Sequence, residues 1–388
     1  MSKIKKGNDP LRAAAWFPGQ AYGERPNVES VAQNNSHLEK IIWSFDDGLR
    51  QVVGIELAAD VAKADAQVLK DNTLVAQLVS LRDSSLMWLA LLKHSFAGEP
   101  YLETLIEDGN TLWQVAGDSF GGYTAGFAVG PGHIDDQLQR LMLAAKGTIV
   151  RAAPMLGTPH TYERGGMVAV TKLPAGVVSD LVKDANAEIG QKGFLKLIKY
   201  NAPEVNIVAG PREGLNRLGE LALARGRKVR DISFYWFHHP MAMELIGREL
   251  GIYLSKPESF GTFSPFLTYV SNVTGKITPP DKIAQDLGLG VWKPVRVFTS
   301  HGASLHGAAH RNGVYDVFVF SKEPASWLGA SNKVTAHLMT DYESMGRAKM
   351  WIMDALESKV RVGRPQVSQN QSAPSQQLSR STLYQAKS

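Results

Sequence analysis

Residues 113–130, WQVAGDSFGGYTAGFAVG, constrain the fold of this chain more tightly than any other stretch. An apolar run ends in Gly117-Asp118-Ser119-Phe120-Gly121, and small residues able to open a helix follow at once. A strand that turns into a helix within so few residues needs glycine around the bend, where bulkier neighbours would clash. The serine hydroxyl then stands clear of the sheet. The backbone N–H of Phe120 can point at a developing oxyanion, and the helix N-terminus adds its dipole. The same pattern also fits a plain glycine-serine turn, so the rest of the chain has to decide between turn and nucleophile.

Upstream, Ala13-Ala14-Ala15-Trp16-Phe17 is a short apolar run that stops at Pro18-Gly19-Gln20. It predicts a buried strand entering a turn. The turn is either a simple reversal or a backbone amide and a glutamine at the carboxyl end of a first parallel strand, where open α/β sheets place ligands. Residues 27–100 predict mostly helix, with Leu74, Leu78, Leu81 and later leucines near helical spacing for packing and Gln77 as the polar exception. A further amphipathic helix is expected over 134–153, containing Lys146.

From Gly165 the pattern changes. GGMVAV, FLKLIKY, EVNIVAG and RKVRDISF read as strands, with helices AGVVSDLVKDANAEI and REGLNRLGELALARG between them. That β-α-β-β-α-β order is the split βαβ pattern of a ferredoxin-like subdomain, and it begins and ends inside the chain. The expected organisation is a polar lead at 1–12, a large α/β domain over 13–164 and 233–360, the insert at 165–232, and a disordered tail at 361–388. The tail is rich in Gln and Ser and too poor in apolar residues to offset the entropy of ordering. A strand is expected near 266–277, another at 314–320, and a last helix near 341–358.

Composition removes several classes of function. With no cysteine there is no disulfide, thiolate zinc site or cysteine nucleophile, which suits a reducing cytoplasm. Apolar stretches such as SSLMWLALL are too short to span a bilayer, and no apolar core follows the basic N-terminal residues, so neither membrane insertion nor a secretory signal is expected. A dispersed net charge of +5 favours an acidic partner over nucleic acid. His306 and His310 stand four apart without a neighbouring acid or cysteine, so no metal site is predicted.

Phe17-Pro18-Gly19-Gln20, the Gly117–Tyr123 elbow, Gly165–Val170, Asn201-Ala202-Pro203 with Val205–Gly210, Phe237-His238-His239-Pro240 and Ser271–Gly275 follow one another in this order. Order and spacing together resemble the malonyl-CoA:acyl carrier protein transacylase family over roughly residues 13–300. The resemblance implies an α/β-hydrolase-like large domain with a parallel sheet and the ferredoxin-like insert. It implies Ser119 as nucleophile, His238 as general base, and the N–H groups of Gln20 and Phe120 as the oxyanion hole, with Lys146, Gln77, Phe237 and Asn272 as substrate-binding residues. A serine hydroxyl is a weak nucleophile until an imidazole accepts its proton, which is why the chemistry needs such a pair. The partners implied are an acyl-CoA thioester as substrate and an acidic acyl carrier protein, with no separate cofactor.

The departures from the family pattern bear on activity. Asp118 and Gly122 stand where the family usually has His and Glu, and Lys146 falls on the position of the malonyl-binding arginine. Asp118 sets a negative charge beside the nucleophile, unfavourable to an oxyanion unless it is paired or turned away. Lysine keeps the charge of arginine but loses its two-pronged grip on a carboxylate. Phe237 resembles the malonyl-selective form of its motif. The family's Gly-Pro-Gly segment after the last core strand is replaced by Ser321-Lys322-Glu323-Pro324. The leading expectation is a transferase moving an acyl group, malonyl above others. A thioester hydrolase on the same scaffold and a catalytically weakened docking protein of a synthase complex are the alternatives.

Overall fold

The computed structural model describes residues 10–19, 26–33, 36–71, 73–93, 101–129, 165–190, 194–232, 240–255, 267–291, 293–296, 316–320 and 335–362. The 134–153 helix, the histidines at 306 and 310, and all but the first two residues of the 361–388 tail lie outside them.

Two strands lie side by side at the heart of the larger sheet. β1 (Leu11–Phe17) pairs in parallel with β2 (Thr111–Gly117), from Leu11 opposite Thr111 to Phe17 opposite Gly117. β1 thus begins two residues inside the stretch read as a lead, because Leu11 is buried and its N–H donates to the Asn110 carbonyl at 3.0 Å. β7 (Leu267–Val270), β8 (Ile277–Thr278), β10 (Asp316–Val319) and β11 (Thr335–Leu338) complete the order β11-β10-β1-β2-β7-β8. Every pair is parallel except β7 with β8.

Strand side chains alternate between faces, and that alternation divides the core in two. Ala13, Ala15, Phe17, Trp113, Val115, Phe318 and Phe320 join a large cluster on one face. Ala14, Trp16, Ala116, Val317 and Val319 join a smaller one on the other. Continuous burial of both faces is what near-unbroken apolar runs in parallel strands require.

Among the described residues, six helices precede β2: α1 (Val28–Gln33), α2 (Ser36–Val53), α3 (Ile55–Lys63), α4 (Ala66–Asp71), α5 (Thr73–Lys93) and α6 (Leu102–Glu107). Residues 75–93 of α5 are long and apolar enough to cross a membrane by composition, yet that segment is buried inside the fold. It is the central core helix. Its Trp88 ring meets Phe17 edge-on at 6.0 Å, while Phe17 stacks on Phe320 at 5.0 Å. Such aromatic pairs add about 0.5–1.5 kcal/mol each beyond the area they bury.

The second sheet holds β3 (Gly165–Thr171), β4 (Lys196–Ala202), β5 (Val205–Pro211), β6 (Val229–Ile232) and β9 (Val295–Arg296) in the order β6-β3-β5-β4-β9. α8 (Ala175–Ile189) links β3 to β4 and α9 (Arg212–Ala224) links β5 to β6, the ferredoxin-like arrangement. Val178, Leu181, Leu215 and Leu218 fill its core against Val168, Val170 and Val208. β9 comes from later in the chain and extends this sheet in parallel with β4. α7 (Gly121–Ala128), α10 (Pro240–Leu254), α11 (Ile283–Gly290) and α12 (Tyr342–Val362) complete the elements that matter below.

Candidate active site

β1 and β2 end together, and the two turns that leave them form the site. Ser119 sits between β2 and α7 with φ of 51°, a left-handed conformation that costs a residue with a side chain roughly 1–2 kcal/mol. It is exposed, between buried Asp118 and buried Phe120. The bend is tied down from both ends: the Asp118 N–H donates to the Phe17 carbonyl at 2.9 Å, and the Gly121 N–H to the Asp118 carbonyl at 2.8 Å. The glycines of the motif are there for close approach. A Cβ on Gly117 would lie 1.9 Å from the Gly121 backbone, and one on Gly121 would lie 2.3 Å from the Phe17 carbonyl oxygen. The motif is therefore a built elbow, held in a strained conformation by its neighbours.

The Pro18-Gly19 turn abuts it. A Cβ on Gly19 would lie 3.6 Å from the Cβ of Ser119. Ser80 of α5 holds this turn, its hydroxyl donating to the Gly19 carbonyl at 2.6 Å. Gln77 lies nearly one helical turn before Ser80 and is 4% exposed. Its Oε1 has no hydrogen-bond partner among the described residues. A buried acceptor of this kind carries a desolvation penalty of about 1–3 kcal/mol until something donates to it.

Asn272 reaches the elbow from the 271–275 turn. Its Nδ2 donates to the Ser119 carbonyl at 2.8 Å. The peptide group is planar, so fixing that carbonyl also fixes the direction of the Phe120 N–H. Gly122 leaves the space for this contact: a Cβ there would lie 2.4 Å from Asn272 Nδ2. That is the physical consequence of glycine where the family pattern has glutamate. The turn itself is organised by Ser271, whose Oγ accepts from the N–H groups of Val273 and Thr274 at 3.0 and 2.9 Å and donates to Asp286 at 2.6 Å. Tyr269 donates to the other carboxylate oxygen of Asp286 at 2.9 Å. Burial pushes the Asp286 carboxyl above the usual carboxylate range, against the pull of these two hydroxyls. Burial, together with the Asp286 charge, likewise drives Tyr269 well up. The Arg296 N–H donates to the Asn272 carbonyl at 2.7 Å, joining the turn to β9.

Asp118 is neither solvated nor alone. Its Oδ2 lies 2.6 Å from Lys199 Nζ, with the two side chains 6% and 17% exposed. A charge buried this deeply needs such a partner. Lys199, Ser80 and Asp286 are absent from the expectations set by sequence; the signal for Lys199 was the aspartate in the elbow, which requires a cation.

Of the expected site residues, the structure brings Ser119, Phe120 and Asn272 together, while Gln77 is buried on α5 three residues before Ser80. His238, Phe237, Gln20 and Lys146 lie outside the described residues. No group of three or more His, Asp or Glu suited to a metal ion occurs among the described residues.

No protein-family model and no curated protein matches this sequence. Solved structures do match it along most of its length. An acyl-carrier-protein S-malonyltransferase from Burkholderia pseudomallei aligns with a TM-score of 0.65 and 20% identity, over 87% of this chain and 99% of that one. The corresponding enzyme of Bartonella henselae aligns with a TM-score of 0.68 and 18% identity, over 88% and 100%. A malonyl-transacylase solved in complex with its type II polyketide synthase acyl-carrier protein aligns with a TM-score of 0.65 and 19% identity, over 89% and 99%. With β1 and β2 delivering their turns to one point and the second sheet inserted after α7, this chain has the fold of the malonyl-CoA:acyl carrier protein transacylases.

Proposed function

We propose that this protein is an acyltransferase that moves an acyl group, malonyl above others, from CoA to the phosphopantetheine thiol of an acyl carrier protein. The observation that carries the reading is Ser119: exposed, left-handed, at a strand-to-helix elbow and against the Pro18-Gly19 turn. Strain of this kind at an exposed hydroxyl supports a nucleophile held ready.

In the proposed reaction Ser119 Oγ attacks the thioester carbonyl carbon while His238 accepts its proton. The carbonyl oxygen becomes an oxyanion facing the N–H groups of Phe120 and Gln20. Collapse breaks the C–S bond, His238 returns the proton to the departing CoA sulfur, and a seryl ester remains. The carrier thiol then attacks that ester by the same steps in reverse order. Gln77, Phe237 and Asn272 border the acyl group, and Lys146 meets its distal carboxylate. The activities of the structural neighbours, and the complex of one of them with its acyl-carrier protein, support this assignment of substrate and partner.

The test is intact mass after incubation with malonyl-CoA. The expected result is a mass increase on Ser119, discharged by holo carrier protein and absent in Ser119→Ala. Rapid loss of the label in buffer alone identifies the hydrolase; absence of a label with a panel of acyl-CoAs identifies a docking protein. Asp118, one of the two grounds for the docking reading beside the replaced Gly-Pro-Gly segment, is paired with Lys199, and this pairing supports the enzyme.

A further inference from the structure

The elbow carries a carboxylate directly before its serine, and the second sheet supplies the cation that meets it. Lys199 stands on β4, whose register with β5 slips between Leu197 and Lys199 and again between Tyr200 and Ala202. Such bulges re-aim side chains, and here the lysine leaves the plain alternation of its strand to reach Asp118 Oδ2 at 2.6 Å. β9 supports this stretch from the far side. Val295 pairs with Lys199, and the Arg296 guanidinium lies over the Tyr200 ring at 5.0 Å from its centre. A Cβ on Gly19 would lie 3.6 Å from both Asp118 Oδ2 and Ser119 Cβ, so the carboxylate and the reacting residue border the same small volume.

Resting on the proposed role of Ser119, we infer that Lys199 is a positioning residue that sets the charge of the elbow. Its ammonium, held on Asp118, cancels a negative charge that otherwise opposes the oxyanion formed when Ser119 is acylated. A neutral residue at position 118 would leave the lysine no charge to cancel, so the two side chains act as one unit. Taking a separation of about 6 Å and an effective dielectric of about 20, an uncancelled charge slows the attack by a factor of about 100. Because Lys199 acts through Asp118, its loss lowers the rate of acylation and not the affinity for substrate.

The test uses the full chain and a neutral alkyl fluorophosphonate, which needs no knowledge of the acyl group. Ser119 Oγ attacks phosphorus, fluoride leaves, and the hydroxyl proton passes to the base. Labelling rates at saturating probe are compared for wild type, Lys199→Met, Lys199→Arg and the double variant Asp118→Asn/Lys199→Met, with thermal unfolding followed alongside. The expected result is labelling of Ser119 in wild type and a rate about 100-fold lower in Lys199→Met. Lys199→Arg stays near wild type, and the double variant recovers to within about 5-fold of it, because the charge is gone with its partner. A Lys199→Met rate equal to wild type overturns the inference, as does a double variant as slow as Lys199→Met, which would make the pair a packing contact. A defect seen with malonyl-CoA but not with the neutral phosphonate also overturns it, assigning Lys199 to the acyl carboxylate instead. If Lys199→Met does not fold, Lys199→Gln and Asp118→Asn/Lys199→Gln take its place, with the same outcomes read from the pair. Absence of label on wild-type Ser119 sinks the nucleophile itself, a failure distinct from all of these.

Discussion

The contact between Gly122 and Asn272 yields a sign reversal that few other mechanisms produce. Gly122 is the second residue of α7, so alanine there gains roughly 0.5–1 kcal/mol of helix propensity. In the wild-type background its Cβ falls 2.4 Å from Asn272 Nδ2 and 3.2 Å from Asn272 Cγ, and the carboxamide must leave. The bond to the Ser119 carbonyl is lost, which costs about 1 kcal/mol, and crowding a buried site adds about 1–3 kcal/mol. Gly122→Ala therefore destabilises the protein by about 1–3 kcal/mol in net. In an Asn272→Ala background the obstacle is gone, and the same substitution stabilises by about 0.5–1 kcal/mol. The cycle thus carries a coupling of about 1.5–4 kcal/mol, large for a single pair. Urea unfolding of the four proteins, followed by tryptophan fluorescence, measures it. Each single variant also slows Ser119 phosphonylation, because the peptide plane that aims the Phe120 N–H loses its anchor. Gly122→Ala stabilising the wild type, or equal effects in both backgrounds, would refute the reasoning.

Three further outcomes are expected. The Asp286 carboxyl is raised by burial, so the stability it contributes is complete below the unfolded carboxylate range and is lost as pH rises through its folded value; the difference in unfolding free energy between wild type and Asp286→Asn therefore declines with rising pH. Asp341 is lowered by the Ser344 N–H, which donates to its carboxylate at 2.8 Å ahead of α12, so its contribution is present above the unfolded range and lost as pH falls through the folded value; Asp341→Ala costs about 1 kcal/mol at neutral pH and progressively less in acid, read from urea midpoints. Lys146→Arg raises the malonyl-over-acetyl ratio of Ser119 acylation measured by intact mass, because the planar guanidinium grips a carboxylate with two bonds; an unchanged ratio removes Lys146 from the acyl pocket.

Much of the scaffold was legible because its signals are local. The helix AGVVSDLVKDANAEI occupies α8 residue for residue, since its apolar spacing matches one buried stripe with Pro174 before it and Gly190 after it. β1 was placed within two residues by an unbroken apolar run ending at proline. The elbow was legible for the same reason: its glycines answer to clashes within a few residues of themselves and with the adjacent strand.

What the sequence determined alone, then, was the kind of the longer elements, though not the short strands β9 and β11 or the helix α11, and a serine at a sharp turn. Tertiary structure decided what surrounds that serine. Asn272 meets it across 153 residues of chain, and Lys199 meets Asp118 across 81. Neither pairing leaves a periodic trace, because a side chain's partner is set by how sheets and turns pack, not by spacing along the polymer. An aspartate in the elbow reads from sequence as a defect. In the folded chain it is half of an ion pair, since only packing brings a bulged strand from the second sheet close enough to supply the missing charge.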